Sequence, residues 1–366
     1  MTMKTVIFCA VNVLVAWMVG AAPQVWVDCH STVTPADGTP EAPYTTIQEG
    51  VDNVDSGGTV WVRPGVYDQG LTEELTGTMP AGRSRVSITK PLTLKSTGGK
   101  LVTFIRGAAA TGKMPDGETP DPSYNETLGL GADAIRCIYV TESAANNATG
   151  VRIEGFTIEN GYTMNDNKEP SGAYGQQVRR NLGGGVASVA PDGTSGDGVH
   201  NTLVVDSTIR NCAATRGGGA LGGTFVRCFF TGNRCANNGA AGRNNRLYNC
   251  VLERANLSYN NLAMNCTFFG GGTAASNSKA LINCLFLGNT SASDTTDSAS
   301  ATNCATISST VLPGENNISS ITAPVFKTPA PAYFGEDWGI VSGGDVIGAG
   351  AVELWNERVN NLPEDL

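Results

Sequence analysis

The sequence predicts an all-β chain wound as a parallel β-helix, and three observations carry that reading. First, one short phrase recurs between Thr202 and Ala305: VDSTI, VRCFF, YNCVL, MNCTF, INCLF and TNCAT. It is centred on Ser207, Cys228, Cys250, Cys266, Cys284 and Cys304, with steps of 21, 22, 16, 18 and 20 residues. A near-fixed period of this size marks a repeat architecture in which each unit buries its apolar face only by stacking on its neighbours. Second, the positions −2, 0 and +2 of the full copies are apolar (Val226, Cys228, Phe230; Tyr248, Cys250, Leu252). Alternation by two is the strand signature. Third, the links between copies (TRGGGALGG, NNGAAGRNN, GGGTAASNS) are rich in Gly, Asn and Ser, residues that suit tight turns with positive φ.

The elements follow in chain order. The chain has 366 residues. Residues 1–22 read as a signal peptide: Lys4 forms a basic start, Val6 to Val19 is apolar apart from Asn12, and Gly20 and Ala22 are small residues at a cleavage site. That predicts an exported protein with no transmembrane segment in the mature chain, the apolar run being short for a span. Residues 23–366 then form one β-helix domain. QVWVDCH (Gln24 to His30) alternates like a first strand. PYTTIQEGVDNV (Pro43 to Val54) reads as a short amphipathic helix, with a capping box from Thr45 and Gln48 or from Thr46 and Glu49. Ile47, Val51 and Val54 share one face. Gly50 weakens this helix by about 1 kcal/mol relative to Ala. Such a helix would cover the open end of the solenoid, whose bare strand edges invite aggregation. TVWVRPGVY (Thr59 to Tyr67) is the next strand, stopped by Pro64-Gly65. Residues 107–130 and 164–177 break the pattern and are predicted to be inserted loops, and residues 313–366 a C-terminal closing segment.

TTIQEGVDNVDSGGTVWVRPGVY, with its T-I-Q helix and a strand ending in P-G-x-Y, resembles the opening of secreted right-handed parallel β-helix proteins of the pectate-lyase-like superfamily. ITKPLTLKS, AIRCIYV, EGFTIENGY, the Asn-Cys repeats and DVIGAGAVE continue the likeness. The resemblance implies a single-stranded right-handed β-helix with an N-terminal capping helix. There Gly50 departs from the usual Ala, a departure expected to touch helix stability alone. The fold hosts lyases, hydrolases, epimerases and non-catalytic surface proteins, so it does not choose an activity.

Charge narrows the partners. The net charge is −9, which argues against a nucleic-acid ligand. Yet residues 179–254 carry nine Arg, four acids and no Lys, net +5, between flanks of net −8 and −7. Arg matches carboxylate and sulfate in a bidentate fork, so Arg179, Arg180, Arg216, Arg227, Arg243 and Arg246 are the candidate binding residues for an anionic polysaccharide or cell-surface glycan. The competing reading is that these Arg pair with neighbouring acids. If the central Cys faces inward, the −1 column (Asp206, Arg227, Asn249, Asn265, Asn283, Asn303) faces out on a strand or forms a stacked amide ladder at a turn, and Asp206 with Arg227 makes a surface ion pair. The +1 column (Thr208, Phe229, Val251, Thr267, Leu285) also faces out.

Catalytic sets are missing from the sequence. The Arg-x-x-Arg-x-Pro stretch of calcium-dependent pectate lyases is absent, and so are the grouped N-x-D and D-D motifs of pectin-hydrolysing β-helices. Asp192, Asp197 and His200 form the nearest acid/His group, on a Gly-rich loop that could instead be a plain polar turn. Without CxxC, and with His30 and His200 as the two histidines, no metal site is predicted. No cofactor is expected, calcium entering only if the chain is a lyase. Nine cysteines follow residue 22. The five on the ladder read as buried packing. Cys29, Cys137, Cys212 and Cys235 lie off it and are the disulfide candidates of an exported chain, with no pairing deducible. The expectation is a non-catalytic glycan-contacting protein; the alternative is a polysaccharide lyase or glycoside hydrolase acting on an acidic polysaccharide.

Overall fold

A computed structural model describes residues 23–76, 79–141, 150–165, 181–189, 202–254, 256–271, 275–287, 295–296, 300–306, 312 and 314–320. Residues 1–22, read as a signal peptide, together with Arg179, Arg180, Asp192, Asp197, His200, residues 166–177 and residues 321–366, lie outside the described residues.

The described chain winds into three long sheets, as a right-handed parallel β-helix does. Sheet one has eleven strands, from Gln24–Val27 and Thr59–Val62 up to Ser300–Thr302 and Gly314–Glu315. Sheet two has nine, from Gly65–Tyr67 to Ala305–Thr306. Sheet three also has nine; it opens with an antiparallel hairpin, Thr72–Thr76 with Met79–Ile88, and is parallel thereafter. A two-stranded side sheet pairs Ala213–Arg216 with Arg234–Asn238. Rungs stack about 4.8 Å apart. Val204, Phe225, Leu247, Ala263, Leu281 and Ala301 stand in register, so the rungs advance by the same steps as the sequence repeat.

The repeat phrase is a corner between two strands. At its −1 position Asp206, Arg227, Asn249, Asn265, Asn283 and Asn303 all have φ between 49° and 54°. This left-handed conformation costs most residues about 1–2 kcal/mol and is visited routinely by Gly and Asn. The Asn column therefore exists to turn the backbone. The rung-to-rung amide contacts fall to other, buried asparagines. Asn233 Oδ1 accepts from Cys212 N at 3.1 Å while its Nδ2 donates to Ile209 O at 2.9 Å. Asn261 accepts from Asn245 N at 2.9 Å and donates to Ser258 O at 2.8 Å.

This corner corrects the predicted register. A left-handed residue consumes one position without the usual flip of side-chain direction. The inner wall therefore takes positions −3, 0 and +2, as in Phe225, Cys228 and Phe230, all in the main core cluster. The −2 column, read as inward, points out of sheet one. There Val226, Tyr248, Met264 and Ile282 form a separate apolar cluster with Leu203, Leu262 and Ala280 against it. The Cys ladder itself is packing, as expected: Cys228, Cys250, Cys266, Cys284 and Cys304 are buried in the core. Each Sγ also contacts the carbonyl oxygen two residues back at 3.3–3.4 Å. All nine described cysteines are free thiols. Cys137 and Cys212 do face one another in the interior, where burial and their mutual contact push the Cys137 thiol up.

Helix α1 (Ile47–Asn53) caps the first rung. Of the two possible capping boxes the chain uses Thr46 and Glu49. Thr46 Oγ1 accepts from Glu49 N at 3.2 Å, and Thr46 N donates to Glu49 Oε2 at 2.9 Å. Burial alone would raise the Glu49 carboxyl, but these amide and hydroxyl donors hold it below the usual range. Gly50 corrects a second expectation. A Cβ there would stand 2.6 Å from Val27 Cγ2 and 2.9 Å from Val60 Cγ1, so this glycine sets how closely the helix seats on the core.

Candidate functional site

Outward side chains of a β-helix form columns, one residue per rung. On sheet one the first four rungs bring Trp26, Trp61, Lys95 and Glu154 into register. The cause is local. In QVWV and TVWV the valines face the core and the tryptophan must face out. The two indoles stack with centroids 5.9 Å apart and planes at 24°. Trp61 Nε1 donates to Gln24 Oε1 at 2.9 Å, fixing the ring. Cations bracket the pair: the Arg63 guanidinium lies 5.5 Å from the Trp26 centroid and Lys95 Nζ 5.9 Å from that of Trp61. Such contacts are worth about 0.5–1 kcal/mol at exposed sites.

Carboxylates then fix the cations. Lys95 Nζ meets Glu154 Oε1 at 2.8 Å and Arg152 Nε meets Glu154 Oε2 at 3.0 Å. Burial would raise the Glu154 carboxyl, but Lys95 and Arg152 outweigh it and hold it below the usual range. Arg63 is tethered by Asp28 Oδ2 at 3.3 Å and by Pro40 O at 2.7 Å. The result is a flat aromatic face with a guanidinium at one end and an ammonium at the other.

Sheet two carries a second polar column. Glu159, 3 % exposed, lies between Arg106 of the rung below and Arg210 of the rung above. Each oxygen takes one guanidinium: Arg106 Nε and Nη2 reach Oε1 at 2.8 and 2.6 Å, and Arg210 Nε and Nη2 reach Oε2 at 2.8 and 2.6 Å. Arg210 also lies over the Phe104 ring at 5.9 Å. This closed triad is a structural clamp between rungs.

The four described arginines of those singled out by composition do not share one face. Arg227 sits at the corner between sheets one and two in a forked ion pair with Asp206, Nε–Oδ1 and Nη2–Oδ2 both 2.8 Å. The Arg227 hydrogen bond holds the Asp206 carboxyl below the usual range. Arg246 is on the outer face of sheet one. Arg243 is on sheet three, over the Tyr259 ring at 4.3 Å. Arg216 ends the first strand of the side sheet. One rung of about twenty residues runs around the whole circumference, so neighbours in sequence are dealt to different sides. The sequence reading missed Trp26, Trp61, Arg63 and Lys95, which lie up to 69 residues apart. Their signal was the outward Trp in the QVWV and TVWV alternations.

Among the described residues, one group converges as metal ligands would: Asp28, Cys29 and His30, in the turn after the first strand. Burial pushes the Cys29 thiol up, against the Val66 backbone and Tyr67 hydroxyl, which favour the thiolate. No helix among the described residues is long and apolar enough to cross a membrane.

Stacked parallel sheets, left-handed corners and an N-terminal capping helix define a right-handed parallel β-helix. Among solved structures, a pectate lyase matches with 11% identity and a TM-score of 0.47, over 89% of this chain and 74% of that one. A rhamnogalacturonan lyase matches with 14% identity and a TM-score of 0.38, over 78% and 68%. A pectin methylesterase from carrot matches with 11% identity and a TM-score of 0.37, over 82% and 84%. No family model and no curated protein matches the sequence. The fold assignment rests on the chain's own strand pairing.

Proposed function

We propose that this chain is an exported, non-catalytic β-helix that binds an anionic polysaccharide along the outer face of sheet one. The single observation that carries the reading is the Trp26–Trp61 stack bracketed by Arg63 and Lys95. Two indoles one rung apart offer the flat apolar surface on which sugar rings rest. Guanidinium and ammonium groups at its ends supply positive charge for carboxylate or sulfate substituents. Export is supported by the signal-like residues 1–22. The lyase or hydrolase alternative would need a base beside two or more carboxylates. The catalytic motifs absent from the sequence support the non-catalytic reading.

The test is affinity electrophoresis and calorimetry against polygalacturonate, a sulfated glycan and a neutral glucan. Retention by the acidic polymers is expected at low salt, weaker at high salt because exposed charges are screened. Trp61→Ala should abolish it. Absence of retention at low salt, or full retention by Trp61→Ala, sinks the proposal. Release of unsaturated or reducing ends in the same incubations would replace it with the catalytic alternative.

A further inference from the structure

The first strand of sheet one ends at Val27, and the chain turns at once through Asp28, Cys29 and His30. The ligand atoms of these three consecutive residues lie within 4.8 Å of one another. Cys29 Sγ is 3.6 Å from His30 Nδ1, and Asp28 Oδ1 is 3.5 Å from the same nitrogen. Both groups therefore address one ring nitrogen. A nucleophilic triad would place its nucleophile and its orienting carboxylate on opposite nitrogens, so this arrangement is not one.

The two spacings to the ring nitrogen are those of ligands around a small tetrahedral ion. With zinc–sulfur and zinc–nitrogen bonds of about 2.3 and 2.05 Å, tetrahedral S and N ligands stand about 3.6 Å apart, and N and O ligands about 3.4 Å apart. The surroundings hold the group in place. A Cβ at Gly65 would land on Cys29 Sγ and against the His30 ring, so the glycine leaves the volume the thiol and imidazole occupy. Asp28 Oδ1 accepts from His30 N at 2.9 Å, which folds the turn, and Arg63 holds the far oxygen Oδ2. Cys29 N donates to Tyr67 Oη, which is itself anchored on Arg63 O at 2.8 Å.

We propose that Asp28, Cys29 and His30 bind one Zn²⁺ ion through a carboxylate oxygen, a thiolate and imidazole Nδ1, leaving a fourth position open to water or an external ligand. Binding replaces the thiol proton by the metal and releases that proton to solvent. Thiolate and carboxylate balance the two positive charges. The mixed S, N, O set favours zinc over calcium, which takes six to eight oxygen ligands. A search of the sequence for paired CxxC spacing could not find this site, because its three ligands are adjacent.

The test uses the purified full chain, fully reduced. Cobalt(II) titration is expected to give one thiolate-to-cobalt charge-transfer band together with tetrahedral visible bands, and zinc should displace both. Cys29→Ser should abolish the charge-transfer band. His30→Ala should weaken zinc binding about ten-fold or more, scored by competition with a chromophoric chelator. The His30 side chain is 73 % exposed, so that variant keeps the fold whatever Cys29→Ser does. Cys235→Ser should behave as the unmodified chain, and zinc should protect Cys29 but not Cys235 from alkylation. Failure of cobalt to give the band, or zinc binding unchanged in His30→Ala, overturns the proposal. Metal uptake is measured apart from glycan retention, so either can fail alone.

Discussion

Gly50→Ala sets two effects of opposite sign against each other. On helix propensity alone the substitution stabilises by about 1 kcal/mol. The structure places the new methyl 2.6 Å from Val27 Cγ2 and 2.9 Å from Val60 Cγ1, both on β-branched side chains of buried strands. Neither carbon is the end of a flexible chain that can swing aside. Overpacking of this kind costs about 1–3 kcal/mol, so the net expectation is a loss of up to about 2 kcal/mol. The assay is urea unfolding followed by tryptophan fluorescence, which reports on Trp26 and Trp61 beside the contact. A double-mutant cycle with Val27→Ala makes the cause explicit. Removing the opposing methyls should recover about 1–2 kcal/mol of coupling between the two sites. A Gly50→Ala chain more stable than the parent by the full propensity gain, or a cycle with no coupling, would refute the seating argument.

Three further outcomes follow from the outer columns. Glu159→Gln leaves two guanidinium groups facing an amide, and should destabilise by about 2–4 kcal/mol, toward the lower value because both Arg side chains are about a third exposed; a loss under about 0.5 kcal/mol in the same unfolding assay would count against the clamp. Arg227→Asn gives up a half-exposed ion pair but removes a left-handed arginine, so stability should stay within about 1 kcal/mol of the parent, and a larger loss would mean Arg227 does more than turn the corner. Glu154 and Asp206 both have folded pKa values below their unfolded ones, so their contribution is present above the ordinary carboxylate value and is lost as pH falls through the depressed one. Stability should therefore hold from neutral pH down to about pH 4 and decline below it, and the Glu154→Gln, Asp206→Asn double variant should show a shallower decline.

The sequence carried the architecture because the repeat is self-consistent: every rung presents the same phrase, and α1 announces itself through Thr46, Glu49 and the Ile47–Val51 face. The register across the corner was harder. Period-two counting assumes an unbroken strand, and Arg227 or Asn249 interrupts it in a way that alternation cannot display. The run of Asn at one position was the clue, since a column of left-handed residues selects for Asn. The candidate site was less legible still. Trp26 and Trp61 meet only because the first rung happens to be 35 residues long, a length set by α1 and its flanking turns. The nine arginines looked like a belt because composition is counted along the chain, whereas exposure is dealt out around it.

From Glu154–Thr157 to Thr302–Ala305 the corner between sheets one and two takes two residues in every rung, whereas the rung before, Ser96 to Thr103, takes six. By contrast the link from sheet two to sheet three spans nine, ten, three, five and seven residues in the five rungs after Arg210. In these rungs the link from sheet three back to sheet one holds at two or three residues, so nearly all their variation in length is spooled out on one edge of the rod. The opposite edge keeps the regularity of a ruler, whose graduations repeat every 4.8 Å or so whatever the chain inserts behind them. Mutation can therefore lengthen loops on the slack edge freely while the graduated faces stay commensurate with any ligand that is itself a linear repeat.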